Sequence, residues 1–299
     1  MPSESNRRPV IFGEVLFDHF PDGSVVLGGA PFNVAWHLQD FGLAPRLISR
    51  VGDDALGRRI RDAMLSWGMD TAGLQLDSAH PTGTVQVSIQ DGEPSFEIVA
   101  ERAYDFISGD QIPPTRASIL YHGSLAIRHQ DSRLALQGLK QQLGAPVFVD
   151  VNLRPPWWQR EEVAALLLGA RWAKLNHDEL ALLMPAGDDL EARTRGLIAD
   201  YGLELLIVTR GKRGAAVYAA DGEALQVAPA ATVSVVDAVG AGDAFASVWL
   251  LGLSLGWPLA QTLERAQAFA SAMVGVRGAT VQDAAFYRPY TDTWGLATS

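Results

Sequence analysis

Along most of the chain, short apolar runs rich in β-branched residues alternate with longer segments in which apolar positions recur at helical spacing. Pro9–Phe12, Pro45–Val51, Ser118–His122, Pro146–Val151, Trp172–Leu175 and Leu205–Thr209 read as largely apolar strands. Pro31–Phe41, Ala55–Trp67, Ser132–Leu143, Glu161–Leu168 and Leu190–Tyr201 read as helices beside and between them. Strands apolar on both faces must be covered on both, and helices of this length suffice for βαβ crossovers. The expected fold class is α/β, a mainly parallel sheet with helices on both faces.

One region breaks the rhythm. Thr82–Ile98 reads TGTVQVSIQDGEPSFEI, with apolar residues alternating on either side of Asp91-Gly92, which is a hairpin pattern. A two-stranded ribbon is not stable alone, and Ser24–Leu27, bounded by Asp22-Gly23 and Gly28-Gly29, can add a strand. The expectation is one domain over 1–299 carrying a small antiparallel flap built from about 14–28 and 80–105. The flap is either a surface hairpin or a lid over a site. Its exposed edge could pair two copies into a homodimer.

Composition narrows the partners. The 299 residues carry a formal charge of −10, which disfavours nucleic acid and anionic membrane surfaces. The apolar stretch Ala244–Leu255 is too short to cross a bilayer and reads as a buried helix. The N-terminus runs into strand pattern without a long apolar leader, so the expected location is the cytoplasm. With no cysteine there is no thiolate nucleophile or thiolate metal site. The P-loop, the G-x-S-x-G elbow and H-E-x-x-H are all missing, and Phe245 spoils the dinucleotide fingerprint in GAGDAF.

Several constellations survive these tests. Beyond the N-terminal tail, asparagine occurs only at Asn33 in GGAPFNVAW, Asn152 in DVNLRPPWW beside Arg154, and Asn176 in KLNHDEL. Each lies at the junction of a loop and an element, where open α/β sheets bind ligands. Any one of them could equally be a cap or a turn residue. Gly28-Gly29 permits close backbone approach, and Glu14 and Asp18 add two carboxylates just past the first strand, either solvated turn residues or partners for hydroxyls. No lysine or arginine stands between Arg8 and Arg46, so this face suits a neutral polyol better than a phosphorylated sugar.

The later half carries the cations. Two of the three lysines, Lys174 and Lys212, fall in candidate phosphate-side segments. In VTRGKRG, Thr209, Gly211 and Lys212 could grip phosphate through amides and charge, or form an ordinary hairpin turn. Glu179 could hold Mg²⁺ through water. In SVVDAVGAGDAFAS, Gly240, Ala241 and Gly242 would open a helix with free amides, a ready site for negative charge. Asp243 is then either a cap of that helix or a base that takes a proton from a hydroxyl while the amides hold phosphoryl charge.

Together these motifs resemble the ribokinase-like, or PfkB, family of carbohydrate kinases, over essentially the whole chain. The resemblance rests on Gly28–Gly42, Asn176-His-Asp-Glu179, Thr209–Gly214 and Asp237–Phe245. It implies a Rossmann-like body with a β-sheet lid that binds ATP and Mg²⁺ and phosphorylates a sugar hydroxyl. It implies Asp243 as base and the amides of Gly240, Ala241 and Gly242 as anion hole. Glu14, Asp18, Gly28, Gly29 and Asn33 would face the sugar, with Asn152 and Arg154 between sugar and phosphate. Lys174, Asn176, Thr209, Gly211, Lys212, Gly214 and Gly278 would serve the nucleotide, with Glu179 placing Mg²⁺. A family K⁺ site would lie beside Asp237, although Ala238-Val239 departs from the threonine common there. The segments GEVLFD, DVNLRPPWW and PTGTV are most similar to fructokinases, with 2-keto-3-deoxygluconate kinase and ribokinase as alternatives and a non-catalytic sugar or nucleotide sensor as the distant one.

Overall fold

The computed structural model describes residues 7–90, 93–185, 189–229 and 236–296. The Asp91-Gly92 turn and Ser234-Val235 therefore lie outside the described residues.

The chain opens with β1 (Arg8–Phe12), β2 (Leu16–His19), β3 (Val25–Gly28), α1 (Ala30–Asp40), β4 (Arg46–Gly52), α2 (Ala55–Ser66) and β5 (Leu74–Asp77). The hairpin β6 (Gly83–Gln90) and β7 (Glu93–Ile98) follows. Next come β8 (Ala117–His122), α3 (Gln130–Leu143), β9 (Val147–Asp150), α4 (Arg160–Leu167), β10 (Trp172–Asn176), α5 (His177–Leu183) and α6 (Leu190–Tyr201). The last part holds β11 (Leu205–Thr209), β12 (Ala215–Ala219), β13 (Ala224–Val227), α7 (Ala241–Leu255), α8 (Leu259–Met273) and α9 (Ala284–Trp294).

Among the described residues, nine strands form the main sheet in the order β13-β12-β11-β10-β9-β8-β1-β4-β5. From β11 to β5 every neighbouring pair is parallel, while β12 and β13 extend the sheet as an antiparallel edge. Alternation along the strands divides the core into two layers. Ile11, Leu205 and Ile207 pack with α1, α7 and α8 on one face, and Val10, Phe12, Leu206 and Val208 pack with α3, α5 and α6 on the other. Helix α7 is buried from Ala244 through Gly252, as its nearly unbroken apolar sequence requires. The α/β class expected from periodicity is the class observed.

The smaller sheet differs from the expectation in one respect. Its order is β3-β2-β6-β7, so Leu16–His19 lies between the Val25–Gly28 strand and the hairpin. Strand β2 pairs antiparallel with β3 but parallel with β6, so the flap is mixed rather than antiparallel. The acids around Asp18 therefore sit on or beside a sheet strand, and not in a solvated turn. Among the described residues, no helix is long and apolar enough to cross a membrane.

The parallel strands leave β1 toward β4 on one side and toward β8 on the other. A crevice opens at such a reversal outside the carboxyl ends of the strands. The site lies there.

Candidate active site

The C-terminal ends of β1, β9, β10 and β11 meet the small sheet and the start of α7 around a cleft of about 540 Å³. It is lined by Glu14, Asp18, Gly28, Gly29 and Asn33 from the N-terminal part, and by Asn152 and Arg154 past β9. Lys174, Asn176, Glu179 and Thr209 follow, and Asp237, Gly240, Gly242, Asp243 and Gly278 complete the other end. Residues more than two hundred positions apart in sequence thus share one cavity.

Asp243 lies in the first turn of α7, whose N-cap is Gly240. A capping acid would accept amides of its own helix. Here Asp243 Oδ2 instead accepts from Asn33 Nδ2 at 2.7 Å. Burial pushes the Asp243 carboxyl above its ordinary range; the Asn33 bond, Lys174 and Arg154 oppose this, and Asp150 adds to it. First-turn amides have no carbonyl a turn behind them, so those of Ala241 and Gly242 are unpartnered within the helix; Gly242 lines the cleft, whereas Ala241 is not among its lining residues. The turn needs glycine at 240, where φ is +79° and a Cβ would fall 2.4 Å from the Ala279 Cβ.

At the opposite end the acids are withdrawn from water. Glu14 is 3% exposed, and burial pushes it up to about 7, against its own backbone hydrogen bond and Arg154. Burial likewise pushes Asp18 up to about 6, opposed by Arg154. Glu14 Oε2 and Asn33 Oδ1 are buried without a hydrogen-bond partner among the described residues. Both are acceptors on the wall of the cleft, and donors such as hydroxyl groups match them. Arg154 is exposed, and its Nη1 donates to Leu153 O at 3.3 Å. Asn152 adopts φ +39°, a left-handed turn that carries the chain from β9 over the cleft.

Two acids have side chains committed elsewhere. Asn176 and Glu179 form a reciprocal capping box at the start of α5. Glu179 Oε2 accepts from Asn176 N at 2.8 Å, and its Oε1 accepts from Leu153 N at 2.7 Å. Glu179 therefore pins the Asn152–Arg154 loop to β10 and is itself part of the cleft wall. Asp237 accepts from Val239 N at 2.9 Å and from Gly278 N at 3.1 Å, so it shapes the loop that precedes the glycine turn.

Three expected nucleotide residues stand apart. Gly211, Lys212 and Gly214 do not line the cleft; their 3₁₀ turn closes the antiparallel β11–β12 hairpin. Arg213 N donates to Arg210 O and Gly214 N to Gly211 O, so those amides are already used within the turn. The Arg213 and Gly214 amides are thus not free for phosphate, which leaves the Gly211 and Lys212 amides and the Lys212 charge as what the turn could offer.

Sequence reasoning missed Asp150 and Tyr121. Lys174 Nζ donates to both oxygens of Asp150, at 2.9 and 2.8 Å, and Tyr121 Oη donates to Asp150 Oδ2 at 3.1 Å. The pair is buried beneath the start of α7, where a Cβ on Gly242 would lie 3.7 Å from Lys174 Nζ. Parallel pairing sets Lys174 directly opposite Asp150. That register was the missing signal, since Asp150 is otherwise only the acid that starts DVNLR.

Comparison with known proteins shows the family of the chain. Residues 8–284 match the pfkB family carbohydrate kinase model. A fructokinase of Klebsiella pneumoniae is 34% identical over 265 residues, covering 83% of this chain and 85% of that protein. An aminoimidazole riboside kinase of Salmonella typhimurium is 32% identical over 268 residues, covering 84% and 83%. A solved fructokinase double mutant from Vibrio cholerae O395, bound to fructose, ADP and potassium ion, superposes with a TM-score of 0.82 at 27% identity, covering 96% of this chain and 99% of that one. With a parallel sheet, a β-flap and an acid–amide cleft of this form, the chain belongs to the pfkB family of carbohydrate kinases, enzymes that transfer a phosphoryl group to a sugar.

Proposed function

We propose that the protein is an ATP-dependent fructokinase that transfers the γ-phosphoryl group of ATP to the primary 6-hydroxyl of fructose. The observation that carries this reading is the Asn33–Asp243 bond, which holds a carboxylate at the mouth of a helix N-terminus without using it as a cap. Asp243 then accepts the proton of the 6-hydroxyl as its oxygen attacks the γ-phosphorus and the bond to the β-phosphate oxygen breaks. The amides of Ala241 and Gly242, behind the Gly240 turn, take up the charge that develops on the transferring group, with Lys174 beside them.

Glu14, Asp18, Asn33 and the backbone at Gly28 and Gly29 receive the sugar hydroxyls, with Asn152 and Arg154 between sugar and phosphate. Asn176, Thr209 and Gly278 frame the nucleotide end. The donors fit Mg²⁺, which keeps several waters and takes few carboxylates. Glu179 would reach it through water, and it would supply positive charge to the triphosphate. The Asp237 loop fits K⁺ through backbone oxygens, since both carboxylate oxygens of Asp237 already accept amides. The small sheet forms a lid over the sugar end.

The test is ADP release over fructose, ribose, 2-keto-3-deoxygluconate, fructose 6-phosphate, adenosine and aminoimidazole riboside, with and without K⁺. Fructose should give the highest kcat/KM, with phosphate on its 6-oxygen by NMR. Activity confined to fructose 6-phosphate, or ADP release with none of these acceptors, would overturn the reading.

A further inference from the structure

Positions 33, 36 and 37 of α1 fall on one helical face, because neighbours three and four apart stack. Asn33 holds Asp243. Trp36 Nε1 donates to Val281 O at 2.9 Å, and His37 Nε2 lies 3.1 Å from Ala279 O. Both carbonyls belong to a segment whose Arg277, Gly278 and Ala279 line the cleft.

His37 has no solvent exposure, and its Nδ1 lies 2.9 Å from the hydroxyl of Tyr287 on α9, which is equally buried. Burial pulls His37 down to about 3, so the ring is neutral at any working pH. A carbonyl can only accept, so Nε2 carries the proton; Nδ1 is then an acceptor and Tyr287 donates to it. One tautomer satisfies both contacts, and the chain of bonds runs from α9 through α1 to the Ala279 carbonyl.

Ala279 in turn abuts the glycine turn. A Cβ on Gly240 would lie 2.4 Å from the Ala279 Cβ and 2.5 Å from its Cα, so the two backbones are in van der Waals contact. On its other side the segment is tied by Gly278 N to Asp237 Oδ2 at 3.1 Å. Moving Ala279 therefore moves the turn that presents the α7 amides.

We propose that His37 is a positioning residue, a fixed-tautomer strut that sets Ala279 and through it the 240–242 turn, controlling the nucleotide end of the cleft and not the sugar end. The proposal rests on reading that end as the ATP side. It reaches beyond that reading by assigning a distance-acting residue to it.

Two substitutions separate the strut from core filling. His37→Gln places an amide donor near the Nε2 position and keeps the bond to Ala279. His37→Asn places its polar atoms near Nδ1 and keeps only the contact with Tyr287. One lost hydrogen bond transmitted to the turn predicts a lowered kcat and a KM for ATP raised roughly fivefold to tenfold in His37→Asn, with the sugar KM within about twofold. His37→Gln and Tyr287→Phe should keep the ATP KM within about threefold of the wild type. Equal shifts in the Asn and Gln variants, or a sugar KM that moves as far as the ATP KM, would overturn the proposal. The wild-type protein gives an independent reading by ¹⁵N NMR of its histidine rings. The Nε2–H form of His37 supports the strut and the Nδ1–H form refutes it, even for a protein that phosphorylates none of the sugars tried.

Discussion

Asn33 Nδ2 and Asp243 Oδ2 lie 2.7 Å apart, joining α1 to α7 across 210 positions of sequence. The bond favours the ionised carboxylate, while burial favours the protonated one. Removing the amide in Asn33→Ala should therefore raise the pKa of Asp243. A base must be ionised to act, so the acidic limb of the kcat profile should move to higher pH. A hydrogen bond to a charged group contributes about 1.5–3 kcal/mol, enough to make the displacement measurable. pH–rate profiles of the two proteins measure it, and an unmoved acidic limb would separate Asn33 from the ionisation of the base.

On the proposed mechanism, Asp243→Asn removes the proton acceptor while nearly preserving shape. Turnover should fall by at least ~10²-fold, the range of general-base loss, while ATP still binds by calorimetry. Undiminished turnover would mean that the proton leaves by another route.

The Lys174–Asp150 pair is buried, with side-chain exposures of 8% and 2%. Lys174→Met would strand the Asp150 charge and should destabilise the fold by ~3–5 kcal/mol. Lys174→Met combined with Asp150→Leu should recover much of that loss, because both charges go together, while activity stays low. Urea unfolding midpoints of the single and double variants decide it. A double variant no more stable than the single would show that the pair is not what Lys174 stabilises.

The parallel body and most of the cleft were legible because their signals are local. Strands such as Leu205–Thr209 are apolar up to their last residue, and Gly240–Asp243 combines two glycines and an acid within four letters. Strand β2 was not, because LFDH is short and its acid reads as a turn residue until β3 and β6 are seen on either side. The edge strands β12 and β13 were also missed: AAVYA and ALQV carry weak strand signals and exist through pairing with β11. Asp150 needed the β9–β10 register, and the role of Glu179 in holding Leu153 N needed the loop in place. Long-range pairing supplied what residue type alone could not.

Gly240→Ala tests the glycine turn directly. Alanine must adopt φ +79° and place its Cβ 2.4 Å from that of Ala279, so the turn or the 277–279 segment has to move. Backbone strain of this kind costs on the order of 1–3 kcal/mol. Gly256→Ala is the control, with φ +69° at the far end of α7 but nothing within 4 Å. Both variants should lower Tm, yet only Gly240→Ala should lower kcat/KM, by ~10²-fold if one anion-hole amide is displaced. Equal activity in the two would remove the turn from catalysis.

Glu14 makes the stability of the protein depend on pH in a stated direction. Its folded-state value of about 7 lies above the ordinary 4.5, chiefly because the carboxyl is buried. Between those values the folded protein holds a proton that the unfolded chain has released, so stability falls as pH rises through that window. The difference of 2.5 pH units, from 7 minus 4.5, corresponds to a loss of about 3 kcal/mol by pH 8. Asp18, pushed up to about 6, contributes in the same direction. Glu14→Gln cannot ionise and should lose less stability between pH 5 and pH 8 than the wild type; on the proposed reading it should also bind sugar more weakly. Chemical denaturation at the two pH values gives the comparison. Parallel losses in both proteins would show that Glu14 is not the group that titrates.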